Sequence, residues 1–223
     1  MCTMLWAKSD PYHPLWCHLL DVAAVCGELL NRFGPIEPLP NNWVQYLAAL
    51  HDVGKADPVF QDSVPFLSQP LRDARLPFFR NHIDGFRHEA RSADWIVQHL
   101  TDEHRWGCRA ASLIRRVLCG HHGRFSAEVY DDAEYLSICS RWVEIRNELA
   151  NMVAEVLGIP ETPYSPETFD DMSSIGIKLT GLIVLSDWIA SNNDIYYYHT
   201  LDTDTLPSAY WERACDMASR TVA

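Results

Sequence analysis

The sequence predicts an all-α fold made of one mostly helical domain. Apolar residues recur at three- and four-residue spacing over long segments of the chain, as they do in helices with one buried face. Glycine or proline flanks many of these segments. No convincing segment alternates apolar and polar residues with the period of two that marks a half-buried strand. A length of 223 residues suits one sizeable domain better than two.

The first predicted helix runs from Leu15 to at least Leu30, with Pro14 near its start and Gly34 after its end. The second is expected over about 43–53, capped by Asn41 or Asn42. Four prolines between residues 57 and 87 favour a loop with short helical turns. The later helices are expected near 88–100, 107–118, 133–157, 173–191 and 209–220. We treat residues 1–223 as one domain, with a possible minor break at the proline-rich segment 158–172.

Composition narrows the function. The net charge of −12 argues against a protein held to nucleic acid by a broad basic surface, although a local basic channel remains possible. The seven cysteines contain no C-x-x-C pair, so a disulfide framework is not expected and a reducing cytoplasm fits best. The N-terminus has no signal-peptide pattern. The longest apolar run, Gly181 to Leu185, is too short to cross a bilayer, so no membrane partner is expected.

Imidazole and carboxylate side chains recur along the chain in an order that packing does not explain. Together they form the ligand set that Mn, Fe, Co, Ni or Zn prefer. Seven candidates exceed the three or four protein ligands of one zinc, and they suit two ions that share a carboxylate, as in phosphoester hydrolases. The predicted metal ligands are His18, His51, Asp52, His88, His121, His122 and Asp187.

The densest part of this set is His51-Asp52-Val53-Gly54-Lys55. Neighbouring residues on a helix point about 100° apart, so His51 can hold one ion while Asp52 bridges two. Gly54 permits a tight turn. Lys55 can neutralise a phosphate oxygen or the departing alkoxide. We therefore predict catalytic roles for Asp52 and Lys55.

Each candidate also has a simpler interpretation. His51 with Asp52 can be a helix-end histidine beside a carboxylate, and the histidine pair at 121 and 122 can be an exposed polar turn. His88 alone can be a surface histidine. His18 lies in an apolar helix where core histidines are common, with Asp21 on the same face as a group that can orient it. Asp187 lies in an apolar helix, where a salt bridge is the alternative to a metal.

The order of these residues resembles the HD-domain phosphohydrolases. Finer features resemble the HD nuclease domain of the CRISPR-associated helicase-nuclease of type I systems, over roughly Leu5 to Asn193. These features are Leu5-Trp6-Ala7-Lys8-Ser9, Tyr12-His13-Pro14-Leu15, Cys17-His18-Leu19-Leu20-Asp21-Val22-Ala23, Gly120-His121-His122-Gly123-Arg124 and Leu185-Ser186-Asp187-Trp188-Ile189-Ala190-Ser191.

The resemblance implies an all-α HD bundle and metal-dependent cleavage of single-stranded DNA, by nicking and by 3′ to 5′ degradation. It implies one metal on His18, His51, Asp52 and Asp187, and a second on Asp52, His88, His121 and His122. It implies two partners besides DNA, a superfamily 2 helicase and a crRNA-guided surveillance complex. The chain itself has no G-x-x-x-x-G-K-[ST] loop, so the helicase is expected on another domain or subunit.

Five histidines with two aspartates favour two divalent transition-metal ions, Mn, Co, Ni or Fe, over Mg²⁺, which prefers an all-oxygen shell. A channel for single-stranded DNA needs cations and aromatic rings. The candidates are Arg72, Arg75, Arg80, Arg87, Arg124, Phe78, Phe79 and Phe125. Two other functions stay open: an HD phosphohydrolase of small nucleotides, and a docking module whose metal site is structural.

Overall fold

The computed structural model describes residues 2–81, 83–125, 133–160, 172–196 and 205–223. In these residues nine α-helices surround one apolar core, with a small β-hairpin at the N-terminus. The helices are α1 (Leu15–Phe33), α2 (Asn41–Ala49), α3 (Pro58–Gln61), α4 (Pro65–Asp73), α5 (His88–Gln98), α6 (Cys108–Cys119), α7 (Ala133–Leu157), α8 (Met172–Ser191) and α9 (Pro207–Val222). The strands are β1 (Trp6–Ser9) and β2 (Tyr12–Pro14).

The all-α prediction is confirmed, and most predicted helix bounds agree with the structure to within about two residues. Helix α1 begins directly after Pro14, whose fixed φ suits a helix start. It ends at Gly34, whose φ of +92° favours glycine. Helix α1 packs against α2, α8 and α9 and is buried over most of its length, so it forms the centre of the bundle.

The second helix differs from its prediction at both ends. It begins at Asn41, with Pro40 at the capping position and no side-chain cap, so the predicted asparagine cap is wrong. It ends at Ala49, and the chain continues as a 3₁₀ helix over Leu50–Lys55. A 3₁₀ helix is wound more tightly than an α-helix, so the directions of the side chains at 51, 52 and 55 differ from those of a continued α-helix.

The prediction of a chain without strands is wrong at the N-terminus. Strands β1 and β2 pair in antiparallel fashion, with an irregularity between Trp6 and Lys8. Their seven residues are too few for a period-two pattern to be recognised. The hairpin is held to the bundle by Gln61, whose side-chain amide donates to the Trp6 carbonyl at 2.9 Å and accepts from the Trp6 amide at 3.3 Å.

Helix α8 is the most apolar of the long helices. Its segment Ser174–Ser191 is long enough and apolar enough to cross a membrane, judged by length and composition alone. A third of that segment is buried in the protein. The expectation of no membrane span, which considered only an uninterrupted apolar run, therefore understated its hydropathy. The helix packs against α1 and α6, and Ile175, Leu179 and Ile183 enter the core, which accounts for part of its apolar character.

The predicted break at 158–172 is described only in part. Helix α7 ends at Gly158, whose φ is +62°, and residues 161–171 lie outside the described part of the chain. The six cysteines whose side chains are described are all free thiols, in agreement with the expected absence of a disulfide framework.

Candidate metal centre

The structure brings all seven predicted ligand residues together, in two groups. The first group is His18, His51, Asp52 and Asp187, and the second is His88, His121 and His122. Within each group, one nitrogen or oxygen atom of every residue lies within 4.8 Å of the others. Residues from five separate parts of the chain therefore converge, which a set of surface histidines would not do.

The first group is almost fully buried. His18 Nε2 lies 3.1 Å from Asp52 Oδ2 and 3.5 Å from Asp187 Oδ1. His51 Nε2 lies 3.4 Å and 3.6 Å from the same two oxygens. Two imidazole nitrogens and two carboxylate oxygens thus surround a common point, which is the donor set of a four-ligand transition-metal site.

The second group lies against the other oxygen of Asp52. His88 Nε2 is 3.2 Å from Asp52 Oδ1, and His121 Nε2 is 3.6 Å from the same atom. His122 Nε2 lies 3.1 Å from His88 Nε2. The two oxygens of Asp52 therefore face different groups, the arrangement needed for a carboxylate that bridges two ions.

Hydrogen bonds to the backbone aim two of the imidazoles. His51 Nδ1 donates to the Ala48 carbonyl at 2.8 Å, and His121 Nδ1 donates to the Leu118 carbonyl at 2.6 Å. Because a carbonyl only accepts, these bonds leave the Nε2 lone pair of each ring free to bind a cation. Each Nε2 atom points into the cluster.

Several polar atoms in the cluster are buried and have no hydrogen-bond partner. A buried polar atom without a partner costs free energy, and a bound cation removes that cost for a lone pair. The chemistry of the donors and their lack of other partners therefore fit divalent ions. The atoms that face the two groups are His51 Nε2, His121 Nε2 and Asp52 Oδ1.

Positively charged neighbours keep the two carboxylates of the cluster ionised. Burial favours the neutral form of Asp52, but His51, Lys55 and His88 outweigh it and hold the pKa of Asp52 well below its usual value. Burial likewise opposes the ionisation of Asp187, and His51 and His18 keep its pKa low. Both carboxylates are therefore charged at neutral pH, as metal ligands must be.

The pKa values of the two imidazoles in the first group are shifted in opposite directions. Burial lowers the pKa of His18 to about 4, although Asp52 acts in the other direction. Burial also opposes protonation of His51, but Asp52 and Asp187 outweigh it and raise its pKa. The low pKa of His18 keeps its imidazole neutral at neutral pH, as a metal ligand must be.

Lys55 lies beside the bridging carboxylate. Its Nζ is 2.6 Å from Asp52 Oδ2, and its side chain is 12% exposed, so the ammonium reaches both the cluster and solvent. The predicted closeness of Lys55 to the site is therefore observed. A second cation, Lys8, donates to the Ser191 carbonyl at 2.8 Å. Burial lowers the pKa of Lys8 to about 8, with a further contribution from Lys55, although the charge of Asp187 acts in the opposite direction.

The sequence model of the family described as "Cas3, HD domain" matches residues 6–196. The chain belongs to the Cas3 HD domain family. The match includes all seven residues of the cluster and ends before helix α9.

Individual relatives agree with this assignment. The "CRISPR-associated endonuclease/helicase Cas3" of Thermus thermophilus is 32% identical over an alignment of 215 positions, and the match covers 87% of this chain and 22% of the relative. A solved structure described as "Crystal structure of CRISPR-associated protein" has a TM-score of 0.81 at 28% identity, covering 99% of this chain and 27% of that one. The chain thus spans about a quarter of these longer relatives.

A further solved structure corresponds to an HD domain alone. It is described as the Thermus thermophilus Cas3 HD domain in the presence of Ni²⁺, and it is 28% identical with a TM-score of 0.62. The match covers 97% of this chain and 86% of that domain. This chain and that domain are therefore of similar extent.

Gly54 of this Cas3 HD domain is required for a reason other than the predicted tight turn. Its φ is not among the positive values of the described chain. A Cβ at Gly54 would instead lie 2.1 Å from the His88 carbonyl oxygen and 2.5 Å from the Ser92 amide nitrogen. The Gly54 amide donates to Ser92 Oγ at 2.8 Å. Gly54 therefore lets the N-terminus of α5, which carries His88, pack directly against the segment of His51 and Asp52.

The predicted contact between Asp21 and His18 is wrong. Asp21 Oδ2 instead lies 2.7 Å from His13 Nε2, and Asp21 accepts hydrogen bonds from the hydroxyls of Tyr196 and Tyr210 at 2.9–3.0 Å. The spacing of three residues places Asp21 on the face of α1 that His18 occupies, but the hairpin and α9 bring better partners. Asp21 joins the hairpin, α1 and α9 at the centre of the bundle.

Two buried polar residues that hold the site were not expected from the sequence. Gln61 donates to the Lys55 carbonyl at 2.9 Å as well as to Trp6. Arg146 donates to the Ala56 carbonyl at 2.9 Å and to Asp57 Oδ2 at 3.0 Å. Both fix the backbone that follows Asp52. A lone glutamine or arginine in a helix carries no spacing signal, so sequence reasoning had nothing by which to find them.

The predicted DNA-contact residues have mixed environments. Arg72 pairs with Asp62 at 2.5 Å, and its guanidinium lies 4.3 Å from the centre of the Phe78 ring. Arg87 pairs with Glu89 at 2.6 Å. In contrast, the side chains of Arg75, Arg80, Arg124 and Phe125 are exposed. The first set is engaged within the protein, whereas the second is open to a ligand.

Proposed function

We propose that this Cas3 HD domain is a binuclear metal-dependent nuclease that cleaves phosphodiester bonds of single-stranded DNA in type I CRISPR interference. One observation carries the proposal: the two oxygens of Asp52 face two separate groups of imidazoles, 3.1 Å from His18 and 3.2 Å from His88. The family assignment supports nuclease chemistry. We propose a cytoplasmic location because its substrate would be there.

Two divalent ions are the proposed cofactors. His18, His51, Asp52 and Asp187 would hold one, and His88, His121, His122 and Asp52 the other. When bound, such a pair supplies Lewis-acid stabilisation and an activated water for in-line displacement. The five imidazoles favour Mn, Co, Ni or Fe over Mg²⁺, and the relative described with Ni²⁺ is consistent with that preference.

The residues of the chain would divide the remaining work between them. Asp52 stays ionised and orients both groups. Lys55 places an ammonium at the edge of the cluster, where it can neutralise a non-bridging phosphate oxygen or the departing alkoxide. His51 and His121 keep their Nε2 atoms directed inward through the bonds of Nδ1 to the backbone.

The open side of the cluster favours a polymeric substrate. His122 is exposed and His88 is partly exposed, whereas a phosphohydrolase of small nucleotides needs a closed pocket around its substrate. Arg124 and Phe125, which follow the second group directly, are exposed, and they offer a cation and an aromatic ring to a single strand.

The proposed partners follow from the length of the relatives. The Thermus relative is named an endonuclease/helicase, and this chain corresponds to 22% of it. We propose that a superfamily 2 helicase, as a domain or a subunit, delivers the strand, after a crRNA-guided surveillance complex has opened the target.

The test is cleavage by the purified chain after chelation and addition of Mn²⁺, Co²⁺, Ni²⁺ or Mg²⁺. We expect cleavage of labelled single-stranded DNA with the transition metals, weak cleavage with Mg²⁺, and little cleavage of duplex DNA. Asp52→Asn should abolish cleavage, whereas Asp216→Asn, at an exposed position of α9, should not. Unchanged cleavage by Asp52→Asn would contradict the proposal.

The same assay separates the two alternatives. Faster turnover of nucleoside mono- or triphosphates than of single-stranded DNA would identify a small-nucleotide phosphohydrolase. No turnover of any phosphoester, together with unfolding when the metal is removed, would identify a structural metal site.

A further inference from the structure

An apolar cavity lies between α6 and α8, beside the second group of imidazoles. Its volume is about 380 Å³, within the usual size range of small-ligand pockets. Leu113 and Val117 of α6 and Ile177 and Gly181 of α8 form its apolar walls, and Phe125 forms one side. The cavity is separate from the proposed metal ligands, none of which lines it.

The Phe125 ring connects this cavity to the metal centre. A Cβ at Gly120 would lie 2.3 Å from Phe125 Cε1 and 2.6 Å from Cδ1, so the ring packs directly against the backbone at Gly120. Gly120 directly precedes His121 and His122. One wall of the cavity thus touches the turn that carries two of the proposed ligands.

The residues around the cavity suit a ligand that has an aromatic ring and a negative charge beside the ring. Phe125 is 58% exposed and Ile177 is 74% exposed, so two large apolar side chains at the cavity are open to solvent and to a ligand. Arg116 lines the cavity and is exposed, as is Arg124 next to Phe125. Exposed cations beside an apolar slot complement a base and its phosphate, in a chain whose net charge is −12.

We propose that this cavity receives one unpaired nucleobase of the strand whose phosphodiester lies at the metal centre. The proposal rests on the function proposed above and adds a subsite to it. A base in a duplex is stacked and paired and cannot enter a side cavity without leaving the helix, whereas a base in a single strand is free to do so. The cavity would therefore contribute directly to single-strand preference.

Gly181 allows the cavity to be filled from inside. A Cβ at Gly181 meets no atom within 4 Å, and its position in α8 suits leucine better than glycine. Gly181→Leu should therefore fold and occupy the space of the base. Gly181→Ala adds only one methyl group and should have a smaller effect. Phe125→Ala removes the aromatic wall by an independent route.

The experiment uses thymidine oligonucleotides in which a single abasic site is moved stepwise along the strand. Binding is measured by fluorescence anisotropy in chelator, and cleavage is measured with Mn²⁺. For the wild-type chain, an abasic site at one or two positions should weaken binding and cleavage roughly 5- to 100-fold, the effect of one stacked base. The ratio of the intact strand to the strand with the abasic site, in affinity and in cleavage rate, should fall towards one in Phe125→Ala and Gly181→Leu.

The control is Phe33→Ala. Phe33 is 72% exposed and lies 15 residues after His18 on α1, roughly 22 Å along the helix, and this variant should keep the wild-type ratio. Equal ratios in the wild type, Phe125→Ala and Gly181→Leu would overturn the proposal, and would leave the cavity as a site for another part of a polypeptide. If the wild type binds the intact strand with the predicted ratio but cleaves no DNA, the base site stands and the proposed nuclease function fails.

Discussion

Asp52 Oδ1 lies 3.2 Å from His88 Nε2, although 36 positions separate these residues in the chain and each belongs to a different helical segment. This contact joins the two imidazole groups, because Asp52 Oδ2 simultaneously faces His18 and His51. A single buried carboxylate therefore sets the separation of the groups, and the packing of α5 against the 3₁₀ helix at 50–55 sets the position of that carboxylate.

Removing the ammonium beside the bridging carboxylate should impair catalysis more than metal binding. We expect Lys55→Met to lower kcat on single-stranded DNA by about 10- to 100-fold, since one donor to developing charge is typically worth 10²–10³ and Lys55 is partly exposed. Metal content should be retained, because the charge that competes with cations at Asp52 is gone. The measurement is kcat together with bound metal per chain, and Lys178→Met, exposed on α8, is the control. A loss of metal equal to the loss of rate would assign Lys55 a structural role.

Enlarging Gly54 should displace α5. Gly54→Ala places a Cβ against the backbone of His88 and Ser92, and overpacking of this kind costs about 1–3 kcal/mol. We expect a lower free energy of unfolding and weaker binding of the metal at the second group. Gly181→Ala is the matched control, because its Cβ has open space and glycine in a helix costs about 0.5–1 kcal/mol relative to alanine, so it should stabilise. Denaturant unfolding of both variants checks the sign, and a neutral Gly54→Ala would refute the packing argument.

Replacing Gln61 should uncouple the hairpin from the site. Gln61→Leu leaves the carbonyls of Trp6 and Lys55 without the bonds that Gln61 donates. Buried polar groups without a hydrogen-bond partner cost about 1–3 kcal/mol each. The backbone at Lys55 should also lose its fixed position, and with it the placement of the ammonium. The temperature of thermal unfolding and kcat should both fall. Gln69→Leu, at an exposed position of α4, should change stability by less than about 0.5 kcal/mol. Equal behaviour of the two variants would show that Gln61 does not hold the site.

Acid should destabilise the protein through a histidine outside the metal centre. Burial, followed by His104, lowers the pKa of His99 to about 3, and the unfolded chain has a value near 6.5. The unfolded state therefore binds more protons between these values, so stability present above pH 6.5 is lost as pH falls towards 3. His99→Gln removes this titration and keeps a polar group opposite the Tyr46 hydroxyl, which lies 2.6 Å from His99 Nε2.

The comparison is made in chelator at pH 7 and 4.5. We expect the wild type to lose about 2 kcal/mol more than His99→Gln over this interval. The metal-site groups titrate in both molecules and cancel in the difference. The same pH dependence in both would show that His99 does not take part.

Helices α1, α2 and α5–α9 were predictable because apolar residues recur along them at helical spacing, and α7 begins and ends where its pattern does. Helices α3 and α4 lie in the segment for which only short helical turns were expected. The hairpin was not predictable, because its strands have four and three residues and depend on contacts with Gln61. Within the site, the residue types and their order indicated a metal cluster. The partner of Asp21 and the packing role of Gly54 are set by elements distant in sequence. Local spacing can show which face a side chain occupies but not which distant group meets it.

The central claim is that Asp52 is shared by two cations. The most direct measurement is the number of divalent ions bound per chain, by elemental analysis or calorimetry with Mn²⁺ or Ni²⁺. We predict two ions in the wild type, one in His18→Ala, one in His122→Ala, and none held tightly in Asp52→Asn. A single ion in the wild type, or two in Asp52→Asn, would contradict the account.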